Sequence, residues 1–111
     1  MHELSIAQEL LDIIFVNAEE AGIHSVSEVN IRIGEYAGIF PDSLQFAFEV
    51  LSQDKMTEGA SLNIEHVAPR FVCQTCGTEM RREDERCTRC GNSDIRMIGG
   101  DELELVSFEG E

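Results

Sequence analysis

The sequence predicts an α+β fold, a small three-stranded mixed sheet with two helices, interrupted by an inserted four-cysteine module. Three observations carry this expectation. Two segments place apolar residues at helical spacing, three others alternate apolar and polar residues, and all four cysteines fall between positions 73 and 90 as two matching pairs.

From Leu4 to Ala21 the residues Leu4, Ala7, Leu11, Ile14, Ala18 and Ala21 recur at helical spacing, with Ile6, Leu10 and Ile13 widening the stripe. Glu3 suits the positive end of this helix, Gly22 supplies its stop, and His2 lies at or just before its first turn. Val29, Ile31 and Ile33 alternate with Asn30, Arg32 and Gly34, the period of a half-buried strand. A loop follows through residues 34–38, and Pro41 then opens a second helix with Leu44, Ala47, Phe48 and Leu51 on one face. Leu62 and Ile64, then Leu103 and Leu105, mark two more strands. Both helices are expected to cover one sheet face. His66 shares the parity of Leu62 and Ile64 and is expected at the core edge, and His24 in solvent. The last strand follows the cysteines, so the chain is expected to leave the sheet, form the module and return. The expected division is residues 1–69 with 100–111 as one domain and residues 70–99 as the other.

Eight basic residues against 22 acidic give the 111-residue chain a formal charge of −14. That balance disfavours nucleic acid and anionic membranes and favours cations and basic partner surfaces. Residues 70–96 hold six of the arginines and are near neutral, whereas the rest has only Arg32 and Lys55 against 17 of the acids. No apolar run approaches the ~20 residues of a membrane span. The N-terminus lacks a secretory pattern, so a cytoplasmic location is expected.

The cysteines form Cys73-Gln74-Thr75-Cys76-Gly77 and Cys87-Thr88-Arg89-Cys90-Gly91, two Cys-x-x-Cys-Gly knuckles. Two intervening residues let both sulfurs of a turn point at one ion, and the following Gly accepts the backbone that closes it. Two knuckles face to face make a tetrahedral four-thiolate cage, which suits Zn(II) and leaves no position open for substrate water. The zinc of Cys73, Cys76, Cys87 and Cys90 is therefore read as structural. The arginines are expected to moderate its charge, and the segment between the knuckles to form a hairpin. Disulfides would need an oxidising compartment, and a redox pair would not need a second knuckle.

Met1, His2 and Glu3 offer an α-amine, an imidazole, a carboxylate and the backbone nitrogen of His2 within three residues. Three linked nitrogens favour tetragonal Ni(II) or Cu(II). On spacing alone, a chance histidine at a frayed terminus is the commoner reading. Asp42 and Glu35, in or near loops, could also reach a metal, though no spacing demands it.

The order of features resembles the HypA/HybF family of hydrogenase nickel-incorporation proteins over essentially the whole chain. The resemblance rests on Met1-His2-Glu3-Leu4-Ser5 opening a helix, Ile31-Arg32-Ile33-Gly34-Glu35 ending a strand, Ser43-Leu44-Gln45-Phe46-Ala47-Phe48 in the second helix, and the two knuckles. It implies a nickel metallochaperone with His2 as principal nickel ligand, Met1 giving its amine, and Glu3 as a selectivity or partner-contact residue. The implied partners are a nickel-handling maturation GTPase, the large subunit of nickel–iron hydrogenase and, for some members, a urease accessory protein. Thr88 stands where many relatives have proline and touches no ligand. An enzyme is not expected, because no nucleophile and base pair, phosphate loop or open catalytic metal site can be named. The alternative is a zinc-ribbon adaptor that binds protein without transferring nickel.

Overall fold

The computed structural model describes residues 2–81 and 86–111. It divides into two compact units, Met1–Arg32 with Ile39–Glu65 and Glu104–Glu111, and Ile33–Gly38 with His66–Leu103. The second unit thus contains the cysteines and reaches beyond residues 70–99 at both ends.

In the first unit, helix α1 (Glu3–Ala21) buries Ala7, Leu10, Leu11, Ile14 and Ala18. It stops at Gly22, whose left-handed φ of 72° lets the Ile23 N–H return 2.8 Å to the Ala18 carbonyl. Helix α2 (Pro41–Leu51) packs on α1 and buries Leu44, Ala47 and Phe48. Pro41 holds Phe40 in extended backbone, which fixes where α2 begins. Past its end, the buried Thr57 hydroxyl donates to Ser52 Oγ at 2.8 Å, so neither polar group is left unpaired.

Strands β1 (Val26–Gly34), β2 (Ser61–Val67) and β6 (Leu103–Gly110) form a sheet in the order β2-β1-β6. Near the two ends of β1, the Val26 N–H donates to the Met56 carbonyl and the Glu35 N–H to the Val67 carbonyl, so β1 and β2 run parallel with α2 as crossover. The Gly34 N–H meets the Glu102 carbonyl, and Ser25 exchanges bonds with Glu111, so β6 runs antiparallel. The expected mixed sheet is the one found. Val26, Val29, Ile31 and Leu62 are buried with the helix residues. On the other face the Arg32 guanidinium bridges Glu65 and Glu104, and Asn63 donates to Glu28 and Asn30.

Two expectations at the helix ends are corrected. Leu4 is 54% exposed and Ala21 lies in solvent, while Glu3 is only 4% exposed. Successive helical residues are about 100° apart, so turning Glu3 inward turns Leu4 out. His66 is exposed rather than at the core edge.

The cysteine unit adds three strands that the sequence reading lacked: β3 (Arg70–Cys73), β4 (Glu79–Met80) and β5 (Ile95–Gly99), antiparallel in the order β4-β3-β5. The first knuckle is itself the turn of the β3–β4 hairpin, and Phe71 lies opposite both Met80 and Met97. Phe71, Cys73, Met80 and Cys87 form the core, with Ile95 and Met97 packed against them. Tyr36 meets the Phe71 ring edge-on, with centroids 6.0 Å apart. At the base of the unit Gly34 and Gly100 pass so closely that a Cβ on Gly34 would overlap the Gly100 carbonyl carbon and oxygen. Gly34→Ala is therefore expected to lower stability by about 3 kcal/mol, read by thermal unfolding, because two backbones must separate to admit the methyl.

Candidate metal centre

The two knuckles close with the same pair of backbone hydrogen bonds. The Gly77 N–H closes the first turn on the Cys73 carbonyl at 2.8 Å, and the Gly91 N–H closes the second on the Cys87 carbonyl at 3.0 Å. The Cys73 N–H donates to the Thr78 carbonyl at 2.9 Å and the Cys87 N–H to that of Asn92 at 2.7 Å. Gly77 and Gly91 have φ of 78° and 76°, the left-handed backbone expected after each second cysteine. In each knuckle the first cysteine is buried and the second exposed.

This folding gathers all four sulfurs within 4.8 Å of one another. Cys73 and Cys90 Sγ are 3.6 Å apart, as are Cys76 and Cys87 Sγ, and no disulfide joins them. A tetrahedron of sulfurs at zinc–thiolate bond length has edges of about 3.8 Å. The donor set therefore fits zinc in number, chemistry and spacing. Among the described residues this is the one cluster of three or more metal-ligating side chains brought to such distances.

The surroundings favour the thiolate at Cys76 and Cys87 and oppose it at Cys90. The Thr78 hydroxyl, 3.1 Å from Cys76 Sγ, and the Thr78 N–H lower the Cys76 pKa to about 6. The N–H groups of Cys90 and Arg89 point at Cys87 Sγ from 3.4 and 3.3 Å and hold that thiol below its ordinary range. At Cys90 the Asn92 N–H acts to lower the pKa, but burial and the other three cysteines push it up to about 12. Among the described residues, N–H and hydroxyl groups meet the Cys76 and Cys87 sulfurs, and Arg70 pairs with Glu79 at 2.8 Å. Thr78 was missed in the sequence, where its position just after Gly77 was the available signal.

Met1 lies outside the described residues. His2 occupies the N-cap of α1, makes no side-chain cap bond, and leaves its side chain 55% exposed. Its carbonyl receives the Ile6 N–H, whereas its own N–H falls among the groups that a helix start leaves without a partner. Glu3 Oε2 lies 3.7 Å from His2 Nδ1 and 3.4 Å from the Phe40 N–H, which joins the starts of the two helices. Burial acts to raise the Glu3 pKa, but the N–H groups of Phe40 and Glu3 itself and the neighbouring imidazole hold it below the usual value. Asp42 is exposed in the first turn of α2, and Glu35 is exposed in the turn after β1.

A small α+β fold carrying a closed four-thiolate ribbon defines a metal-binding protein whose cysteine site is structural in type, with no ligand position left for substrate. The chain belongs to the HypA family, described as hydrogenase/urease nickel incorporation, metallochaperone, whose model matches residues 1–110. It is 40% identical over 111 residues to the hydrogenase maturation factor HypA of Dehalococcoides mccartyi, covering 98% of this chain and 93% of that protein. It is 37% identical over 113 residues to the HypA of Geobacter metallireducens, covering the whole of both. The fold is similar to the solution structure of the Ni metallochaperone HypA from Helicobacter pylori, with a TM-score of 0.71 at 23% identity over 99% of this chain and 97% of that one. A second HypA solution structure matches with a TM-score of 0.80 at 23% identity, over 100% and 97% of the two chains.

Proposed function

We propose that this chain is a nickel metallochaperone that carries Ni(II) on Met1 and His2, with Glu3 beside them, and delivers it to the large subunit of nickel–iron hydrogenase. The observation that carries this reading is the position of His2. It caps α1 with an exposed imidazole and only its carbonyl in a helix hydrogen bond, so neither its ring nor its backbone nitrogen gives up a helix bond to meet a metal. Family membership supports the cargo.

Cys73, Cys76, Cys87 and Cys90 hold a structural Zn(II), which when bound supplies a fixed four-coordinate anchor without redox chemistry. The residues form two independent domains of action, the ribbon and the α+β part that bears the nickel site. A terminal chelate lets ligands exchange one at a time with those of a partner, while a closed four-thiolate cage exchanges slowly. Delivery passes through a nickel-handling GTPase, with a urease accessory protein as a second route, and takes place in the cytoplasm. The protein performs no catalysis itself.

The test is equilibrium nickel binding to zinc-loaded protein with its native, untagged N-terminus. About one Ni(II) per chain is expected in addition to the zinc. If zinc-loaded protein takes up no nickel, a ribbon adaptor is the better account.

A further inference from the structure

Helix α2 has two apolar faces, and the fold uses only one. Leu44, Ala47 and Phe48 are buried, but Phe46 is 68% exposed and Val50 41%, one turn apart on the same side of the helix. With Leu4 of α1 they line a groove of about 410 Å³ whose remaining lining is Glu3, Asp42, Ser43 and Ala47. Ser43 to Val50 spans about 10 Å of helix, room for one or two anchoring side chains. Glu3, in its lining, lies next to the exposed His2.

We infer that this groove receives an amphipathic helical segment of the protein that exchanges nickel with this chain, one carrying apolar anchors flanked by lysine or arginine. The inference rests on the nickel-carrier reading above. The apolar walls call for apolar anchors. Charge selects the flanks: α1 and α2 together carry seven carboxylates and no lysine or arginine. The unit they belong to has 14 carboxylates against Arg32, already bridged to Glu65 and Glu104, and Lys55. A second copy of so acidic a surface would be repelled, whereas a basic segment is drawn in. Seated there, it brings its own metal ligands beside His2, as stepwise ligand exchange requires.

The probe is a synthetic amphipathic peptide of leucine and lysine, titrated into the zinc-loaded full chain and followed through backbone amide resonances. Saturable shifts are expected at Leu4, Ser43, Phe46 and Val50. Phe46→Ser and Val50→Ser should each weaken binding roughly tenfold without altering nickel affinity. A charge-matched peptide with its leucines replaced by serine, and a leucine–glutamate peptide, should leave these resonances unmoved. Equal binding of the charge-matched peptide, shifts centred elsewhere, or indifference to both substitutions would overturn the proposal. So would a wild-type dimer, seen by sedimentation, that Phe46→Ser dissolves, since a second copy would then be the occupant. Nickel that binds without peptide docking sinks this proposal alone, while docking without nickel sinks the carrier reading instead.

Discussion

Replacing Cys87 with serine is expected to empty the four-cysteine site and unfold the unit around it while the helical unit keeps its structure. The reason lies in how little else the cysteine unit buries. Of the four residues in its core, Cys73 and Cys87 are themselves proposed ligands, leaving Phe71 and Met80 with partial cover from Ile95 and Met97. Burying an apolar side chain contributes about 1.5–3 kcal/mol, whereas a structural zinc contributes roughly 10–16 kcal/mol at neutral pH. A serine hydroxyl stays protonated and is a poor partner for zinc among thiolates, so the remaining three sulfurs do not compensate. Metal analysis should fall from about one zinc per chain to near zero. Amide resonances of Phe71, Ile95 and Met97 should collapse toward unfolded positions while the helical circular dichroism of α1 and α2 persists. A folded, metal-free ribbon would refute the structural role. The pH dependence has a definite sign: thiolates bind and thiols do not, and Thr78 keeps Cys76 ionised down to about pH 6. Zinc must also displace the proton of Cys90, held up to about 12, so affinity should fall steadily as the pH drops and more steeply below about 6, where Cys76 is protonated too.

The α1, β1, α2, β2 and β6 elements were legible because each has an apolar period long enough to stand out, and Gly22 and Pro41 mark the ends that fix their limits. The knuckles were legible because their chemistry tolerates little change in spacing. Strands β3, β4 and β5 were not, since they have only two to five residues and their inward positions include Cys73, read as a ligand rather than as core. Periodicity also failed at the start of α1. It placed Leu4 inside by its apolar character, yet the Phe40 N–H at the start of α2 gives the Glu3 carboxylate an inward partner, and one inward residue displaces the next. That partner comes from 37 residues away, beyond any local pattern. The same displacement exposes Leu4, which lines the groove proposed above as a docking site.

His2→Ala should abolish specific nickel binding while leaving zinc content and thermal stability unchanged. The imidazole is exposed and caps nothing, so its loss removes no packing or helix-starting hydrogen bond. What it removes is one of the chelating nitrogens and the group that places the backbone nitrogen in the same ring system around the ion. Loss of an outer partner of a ligand commonly weakens metal binding about 10–100-fold, and loss of a ligand from so small a chelate should exceed roughly a hundredfold. Glu3→Gln provides the contrast. An amide oxygen can still accept from the Phe40 N–H, so the helix starts stay joined, but the negative charge 3.7 Å from His2 Nδ1 is gone. Its effect on nickel should be severalfold at most if Glu3 mainly positions His2, and comparable with His2→Ala if the carboxylate is itself a ligand. Nickel titrations of the two variants at equal zinc occupancy separate these cases. Full nickel affinity in His2→Ala would remove the N-terminal site from the account and make the zinc-ribbon adaptor the better reading of the chain.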